Sequence, residues 1–173
     1  MEVEKINAKI HNDVSNIDSY KGLEIICEAF VYKILKVFGK NSLLSILYQV
    51  GAGPGEVIAN KIKEIYNRDE FEIIELFEIL LNELRDLYSI QIRDIQEEPG
   101  KIRIVIENRC FLRELINTRE KLQFGMAFCR VNKGYFETAI GILLKDKIKK
   151  IEINFLENDE ENDFCIEELI FTL

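Results

Sequence analysis

Apolar residues recur at helical spacing through the first half of the chain and at every second position in two later stretches. Ile6, Ile10 and Val14 mark an N-terminal arm, residues 1–17. Leu23, Ile26, Cys27, Phe30, Ile34, Val37 and Phe38 then form a wide apolar stripe at three-and-four spacing that stops at Gly39. Asn41 or Ser42 can cap the next helix, NSLLSILYQV, and VIANKIKEIY follows after the glycines of GAGPGE at 51–56. Asn67 and Glu70 have the spacing of a reciprocal cap, in which each side chain takes an exposed amide at a helix start. The helix predicted there carries Phe71, Ile74, Leu76, Phe77, Leu80, Leu81, Leu84 and Leu87, expected to be the longest buried stripe.

The period then changes from helical to two. YSIQIRDI alternates Ile90 and Ile92 with polar residues, EEPG at 97–100 supplies a Pro-Gly turn, and KIRIVIE returns with Ile102, Ile104 and Ile106 on one face. A second helical region follows ENRC, with Phe124, Phe128, Val131 and Tyr135 on one face. The chain closes on another alternating pair. In KKIEINFL, Ile151, Ile153 and Phe155 share a side, ENDEEND is an acidic turn, and FCIEELIFTL keeps Leu169, Phe171 and Leu173 in phase. Helices, hairpin, helix, hairpin is an α+β plan with two hairpins, about four strands.

Length and composition narrow the class. At 173 residues the chain is long enough for one full core, and no repeat or low-complexity linker divides it. A single domain over 18–173 is expected, preceded by the arm. No apolar run approaches the ~20 residues of a membrane helix, and MEVEKINAKI lacks the basic-then-apolar order of a secretory signal. A cytoplasmic location without a membrane span is therefore expected.

A net charge of −8 and pI near 4.9 oppose nucleic acid as the main partner, because neutralising phosphates takes a lysine and arginine surplus. KDKIKK at 145–150, the clearest basic cluster, is short and fits a turn entering a strand. Cys27, Cys110, Cys129 and Cys165 form no CxxC pair, a pattern of reduced core thiols or scattered metal ligands before disulfides.

GAGPGE is the one stretch that invites a phosphate. A Walker-type loop needs a preceding strand and a Gly-Lys-Ser or Gly-Lys-Thr, yet Glu56 follows Gly55 and no lysine occurs before Lys61. The dinucleotide fingerprint fails too, since its third glycine falls at Glu56. Gly51 and Gly55 are four apart, so on a helix they share a face and admit close approach of another helix or a ligand. Pro54 would kink that helix or begin a new one.

Several stretches together resemble the 4-vinyl-reductase domain family, which is related to subunits of the TRAPP vesicle-tethering complex. They are ILYQVGAGPGEVIA at 46–59, KIRIVIENRCF, NKGYFETAIGIL at 132–143, and IEINF followed by FCIEELIF. The similarity covers about residues 20–173. It implies a twisted antiparallel sheet with helices on one face, frequently a dimer, and a hydrophobic pocket for a small apolar molecule.

Sensor members of that family carry zinc on a cysteine near the late helix, a glutamate on the next strand and two cysteines across the closing hairpin. Matched residue by residue, the resemblance implies Cys129, Glu152 and Cys165 as ligands, with Phe155 where the remaining cysteine falls. Phenylalanine cannot ligate, and a structural zinc site normally takes four protein ligands. A carboxylate of the acidic turn, among Glu157, Asp159, Glu160, Glu161 and Asp163, or a water would have to complete the shell. The alternative is that Cys165 is core, Glu152 lies on the exposed phase and the turn is solvated.

Signs of catalysis are sparse. His11, the only histidine, sits in the polar arm, and neither a nicotinamide fingerprint nor an iron–sulfur cysteine run is present. Binding is the expected activity. Gly51, Gly55, Phe124, Phe128, Val131 and Tyr135 are the candidate ligand-binding residues, with ordinary core packing as the alternative. Three functions stay open: a homodimeric domain for an apolar, aromatic or tetrapyrrole-like ligand, an enzyme or subunit in tetrapyrrole vinyl reduction, and a TRAPP-like scaffold that docks an unidentified protein partner.

Overall fold

A computed structural model describes residues 3–5, 18–113, 127–159 and 161–173. Ile6, Ile10 and Val14 of the arm lie outside the described residues, as does Phe124. The chain divides into two compact units, Met1–Gly39 and Lys40–Leu173. The division falls inside the helical run Ser19–Tyr66, at Gly39, whose φ of 79° and ψ of 175° leave helical geometry. Without a Cβ, glycine takes that conformation at little cost, so the expected stop is a break between two helices: α1, residues 19–38, and α2, residues 40–66.

In the first unit, Leu23, Ile26, Phe30, Val37 and Phe38 of the α1 stripe are all more than half exposed, whereas Val31 is buried. In the second, α2 buries one row at near-constant spacing: Leu43, Leu47, Gly51, Gly55, Ala59 and Ile62. Large residues at its ends and small ones in its middle leave a shallow groove. Pro54 neither breaks this helix nor restarts it. The residue before a proline normally avoids the helical region because its Cβ meets the ring, and Gly53 has none.

The next helix, α3, is Ile73–Glu83. The reciprocal cap expected at Asn67 and Glu70 sits instead at Glu72 and Glu75, where the Glu72 amide donates to Glu75 Oε2 at 3.4 Å. Asn67 has φ 50° and closes α2, a left-handed position that asparagine tolerates better than most residues. Phe71, Leu76, Phe77, Leu80 and Leu84 are buried as expected, while Ile74 and Leu87 are exposed.

Four strands follow: β1 (Tyr88–Glu98), β2 (Lys101–Cys110), β3 (Lys150–Asp159) and β4 (Phe164–Thr172). They form one antiparallel sheet in the order β1-β2-β4-β3. Pro99 and Gly100, with φ 76° at the glycine, make the first hairpin turn where EEPG predicts it. Between the hairpins runs helix α4, Cys129–Leu144, which packs on β3 and against α3. The alternating residues place Ile104 and Ile106 of β2, Leu169 and Phe171 of β4 and Ile153 of β3 on the inner face, beneath Phe136, Ile140 and Leu143 of α4. Lys133 and Glu137, one turn apart on α4, satisfy the edge strand β3 at Ile153: Lys133 Nζ donates to its carbonyl at 2.8 Å and Glu137 accepts its amide at 2.8 Å. Among the described residues no helix is long and apolar enough to cross a membrane.

Candidate functional site

The inner face of the sheet is not apolar throughout. Toward the end of β2 and the start of β4 the inward positions are Asn108, Cys110, Cys165 and Glu167. Asn108 Nδ2 donates to Glu167 Oε1 at 3.1 Å, and both residues are buried. From the start of β1, the buried Tyr88 hydroxyl donates to Asn132 Oδ1 of α4 at 3.0 Å. Tyr88 also stacks edge-on against Phe136 and Phe111. Tyr88→Phe keeps these ring contacts and orphans the Asn132 oxygen, so a loss of about 1–2 kcal/mol is expected. Urea unfolding of the two proteins measures it, and equal midpoints would show that the hydrogen bond contributes nothing.

A cavity of about 280 Å³ opens beside this polar half. Cys129, Arg130 and Lys133 from α4, Ile153, Asn154 and Phe155 from β3 and Glu167 from β4 line it. Ile153 and Phe155 give it apolar walls, while Glu167, only 5% exposed, brings in a carboxyl group. Burial pushes that carboxyl up to about 7, with the Asn108 amide opposing the rise. The Cys129 thiol is raised by burial first, then by the neighbouring Cys165 and Glu167, and Cys165 is pushed up to about 11 by burial. Thiols held protonated are poor nucleophiles. The chemistry this arrangement suits is recognition, through a carboxyl group able to donate or accept a hydrogen bond near neutral pH.

The sequence-derived site residues disperse. Gly51 and Gly55 meet the backbone of α4: a Cβ at Gly51 would lie 1.9 Å from the Val131 carbonyl oxygen, and one at Gly55 would lie 2.4 Å from that of Tyr135. Of the two options for these glycines, the close partner is a helix, and neither lines the cavity. Val131 and Tyr135 supply that backbone contact, the Tyr135 ring packs against Tyr88 and Phe136, and Phe128 is buried; none of the three lines the cavity.

The implied zinc ligands do not converge. Cys129 and Cys165 share the buried region, but Glu152 pairs in register with Ile170 and so projects from the opposite face of the sheet. There it makes an ion pair with Lys150 at 2.9 Å, and that hydrogen bond holds its carboxyl below the usual range. Phe155 is a wall of the cavity. Among the described residues no three His, Cys, Asp or Glu side chains come together as a metal would need, so the residues present do not fit zinc.

The polar residues that do meet were legible in one respect. Glu167 lies in phase with Cys165, Leu169 and Phe171, and Asn108 in phase with Ile102, Ile104 and Ile106. A charge or an amide on the apolar phase of a strand is the signal that sequence reasoning passed over.

No family model matches the chain, and no curated protein matches it. Solved structures do. One is a trafficking protein particle complex subunit 3 from Naegleria fowleri covalently bound to palmitic acid, similar with a TM-score of 0.62 at 12% identity over 87% of this chain and 93% of that one. Another is the phenol-responsive sensory domain of the transcription activator PoxR with phenol, with a TM-score of 0.53 at 12% identity over 86% of this chain and 74% of that one. What this chain shares with both is the fold: an antiparallel four-stranded sheet with helices, of the kind found in a TRAPP subunit.

Proposed function

We propose that the chain is a cytoplasmic, homodimeric small-molecule-binding domain of the 4-vinyl-reductase type, taking a small apolar or aromatic ligand that carries one polar group. The observation that supports this is the cavity itself: apolar walls at Ile153 and Phe155, and Glu167 with one oxygen on Asn108. A carboxyl group buried this far is costly to ionise, and a ligand that hydrogen-bonds it offsets part of that cost. The two solved structures of like fold, one carrying palmitic acid and the other phenol, are in keeping with a ligand-holding role.

A scaffold that docks a protein partner is the second reading, favoured by the exposed α1 residues Leu23, Ile26, Phe30 and Phe38. Native mass spectrometry of the purified protein separates the two, with phenol and palmitate as probes. A dimer mass carrying a small organic molecule, or a probe that raises the melting temperature and binds at least tenfold more weakly to Glu167→Gln, supports ligand binding. A ligand-free protein that neither probe stabilises would sink it, and a monomer at micromolar concentration would remove the homodimer.

A further inference from the structure

Among the described residues the closing hairpin lacks a fitting metal site, yet its tip is gathered around a positive charge. Arg113 lies just beyond β2, and its side chain is 5% exposed. All three guanidinium nitrogens are engaged, and among the described residues every acceptor comes from the β3–β4 hairpin. Nη1 donates to Cys165 Sγ at 3.0 Å and to Asn158 Oδ1 at 3.1 Å. Nη2 donates to the Asp159 carbonyl at 2.8 Å, and Nε donates to Asp163 Oδ1 at 2.5 Å. The tip is also tied to itself, since the Asn162 amide and side chain both donate to the Asp159 carboxylate at 2.9 Å. Arg109, the second basic residue at this end of β2, donates to the Asn162 carbonyl at 3.0 Å.

We infer that Arg113 is the resident cation of this hairpin: a covalently attached guanidinium that draws thiol, amide, carbonyl and carboxylate groups together without zinc. A planar fork with five N–H donors can hold several acceptors at fixed angles, as a metal ion does with its ligands. Metal binding needs a thiolate and a vacant approach to it, whereas the Cys165 sulfur here already accepts from Arg113. The acidic turn is thus tied at its base to this cation, through the Asp159 carbonyl and the Asp163 carboxylate, while Glu157, Glu161, Asn162 and Asp163 stay exposed to solvent. The ligand proposal does not enter this inference, which concerns a different group of residues.

Two measurements on the full chain test it. The first is zinc content by plasma mass spectrometry after purification in zinc-supplemented medium and dialysis against EDTA. Less than about one-tenth of an equivalent, with an unchanged melting temperature, is expected. About one equivalent that survives dialysis and disappears in Cys129→Ser or Cys165→Ser would overturn the inference. The second compares Arg113→Met and Arg113→Lys with the parent chain. Removing the guanidinium from its buried acceptors should lower the melting temperature by about 10 °C, with lysine recovering only part. Alkylation by iodoacetamide, mapped by peptide mass spectrometry, should accelerate at Cys165 at least tenfold more than at Cys27. Parent-like melting and parent-like Cys165 alkylation in Arg113→Met would also overturn it, and the zinc measurement decides the matter if that variant does not fold.

Discussion

Gly51→Ala is expected to destabilise the protein by about 3 kcal/mol or more, at the upper end of what overpacking a tight interior usually costs. The added carbon would lie 1.9 Å from the Val131 carbonyl oxygen and 2.8 Å from its carbon, where no side chain can rotate away. Relief needs α2 and α4 to separate. The contact is reciprocal, since a Cβ at Gly134 of α4 would lie 2.1 Å from the Tyr48 carbonyl oxygen, so Gly134→Ala should behave alike. Gly141 sits in the same helix, and a Cβ there would have nothing within 4 Å. Gly141→Ala should therefore raise stability by up to about 1 kcal/mol, from helix propensity alone. Denaturant unfolding of the three variants checks both signs. If Gly51→Ala and Gly141→Ala shift the midpoint equally, close packing of α2 on α4 is not what requires the glycines.

The second large effect is a pH dependence carried by Glu167. Its carboxyl ordinarily titrates at 4.5 and is held at about 7 in the folded protein by burial. The folded state thus keeps a proton that the unfolded state releases between those values. Stability from this group is fully present below pH 4.5 and lost as pH rises through about 7, a change on the order of 3 kcal/mol. Glu167→Gln keeps the shape and removes the ionisation. The variant should match the parent near pH 4 and exceed it by about 3 kcal/mol at pH 8, apart from any loss at the Asn108 contact. Taking the difference between the two proteins cancels the other titrating groups they share. Parallel stability curves from pH 4.5 to 8 would mean that Glu167 stays ionised at its ordinary value.

Much of the secondary structure was legible because its causes are local. Alternation at Ile102, Ile104 and Ile106, the Pro99-Gly100 turn and the stop at Gly39 each follow from the preferences of neighbouring residues. Where two local signals competed, sequence chose the wrong one. Asn67 can cap a helix start or close a helix end, and only the backbone around Ile73 makes Glu72 and Glu75 the cap. The Glu152 position implied by the resemblance meets a comparable limit. Glu152 is correctly spaced along the strand, but one position out of phase turns a side chain to the other face of a sheet.

From the sequence alone come the α+β plan, the two hairpins, and the reading that Gly51 and Gly55 answer to a close neighbour, a helix or a ligand, rather than to a phosphate. These depend on period, turn chemistry and the absence of a lysine, all readable within a few residues. Tertiary structure alone decided that the neighbour is α4, that Glu167 and not Glu152 points inward beside Cys129, and that Arg113 reaches across about fifty positions of chain to the closing hairpin. Such contacts are set by strand order and register, and hydrogen bonds between residues remote in sequence leave no periodic trace in it.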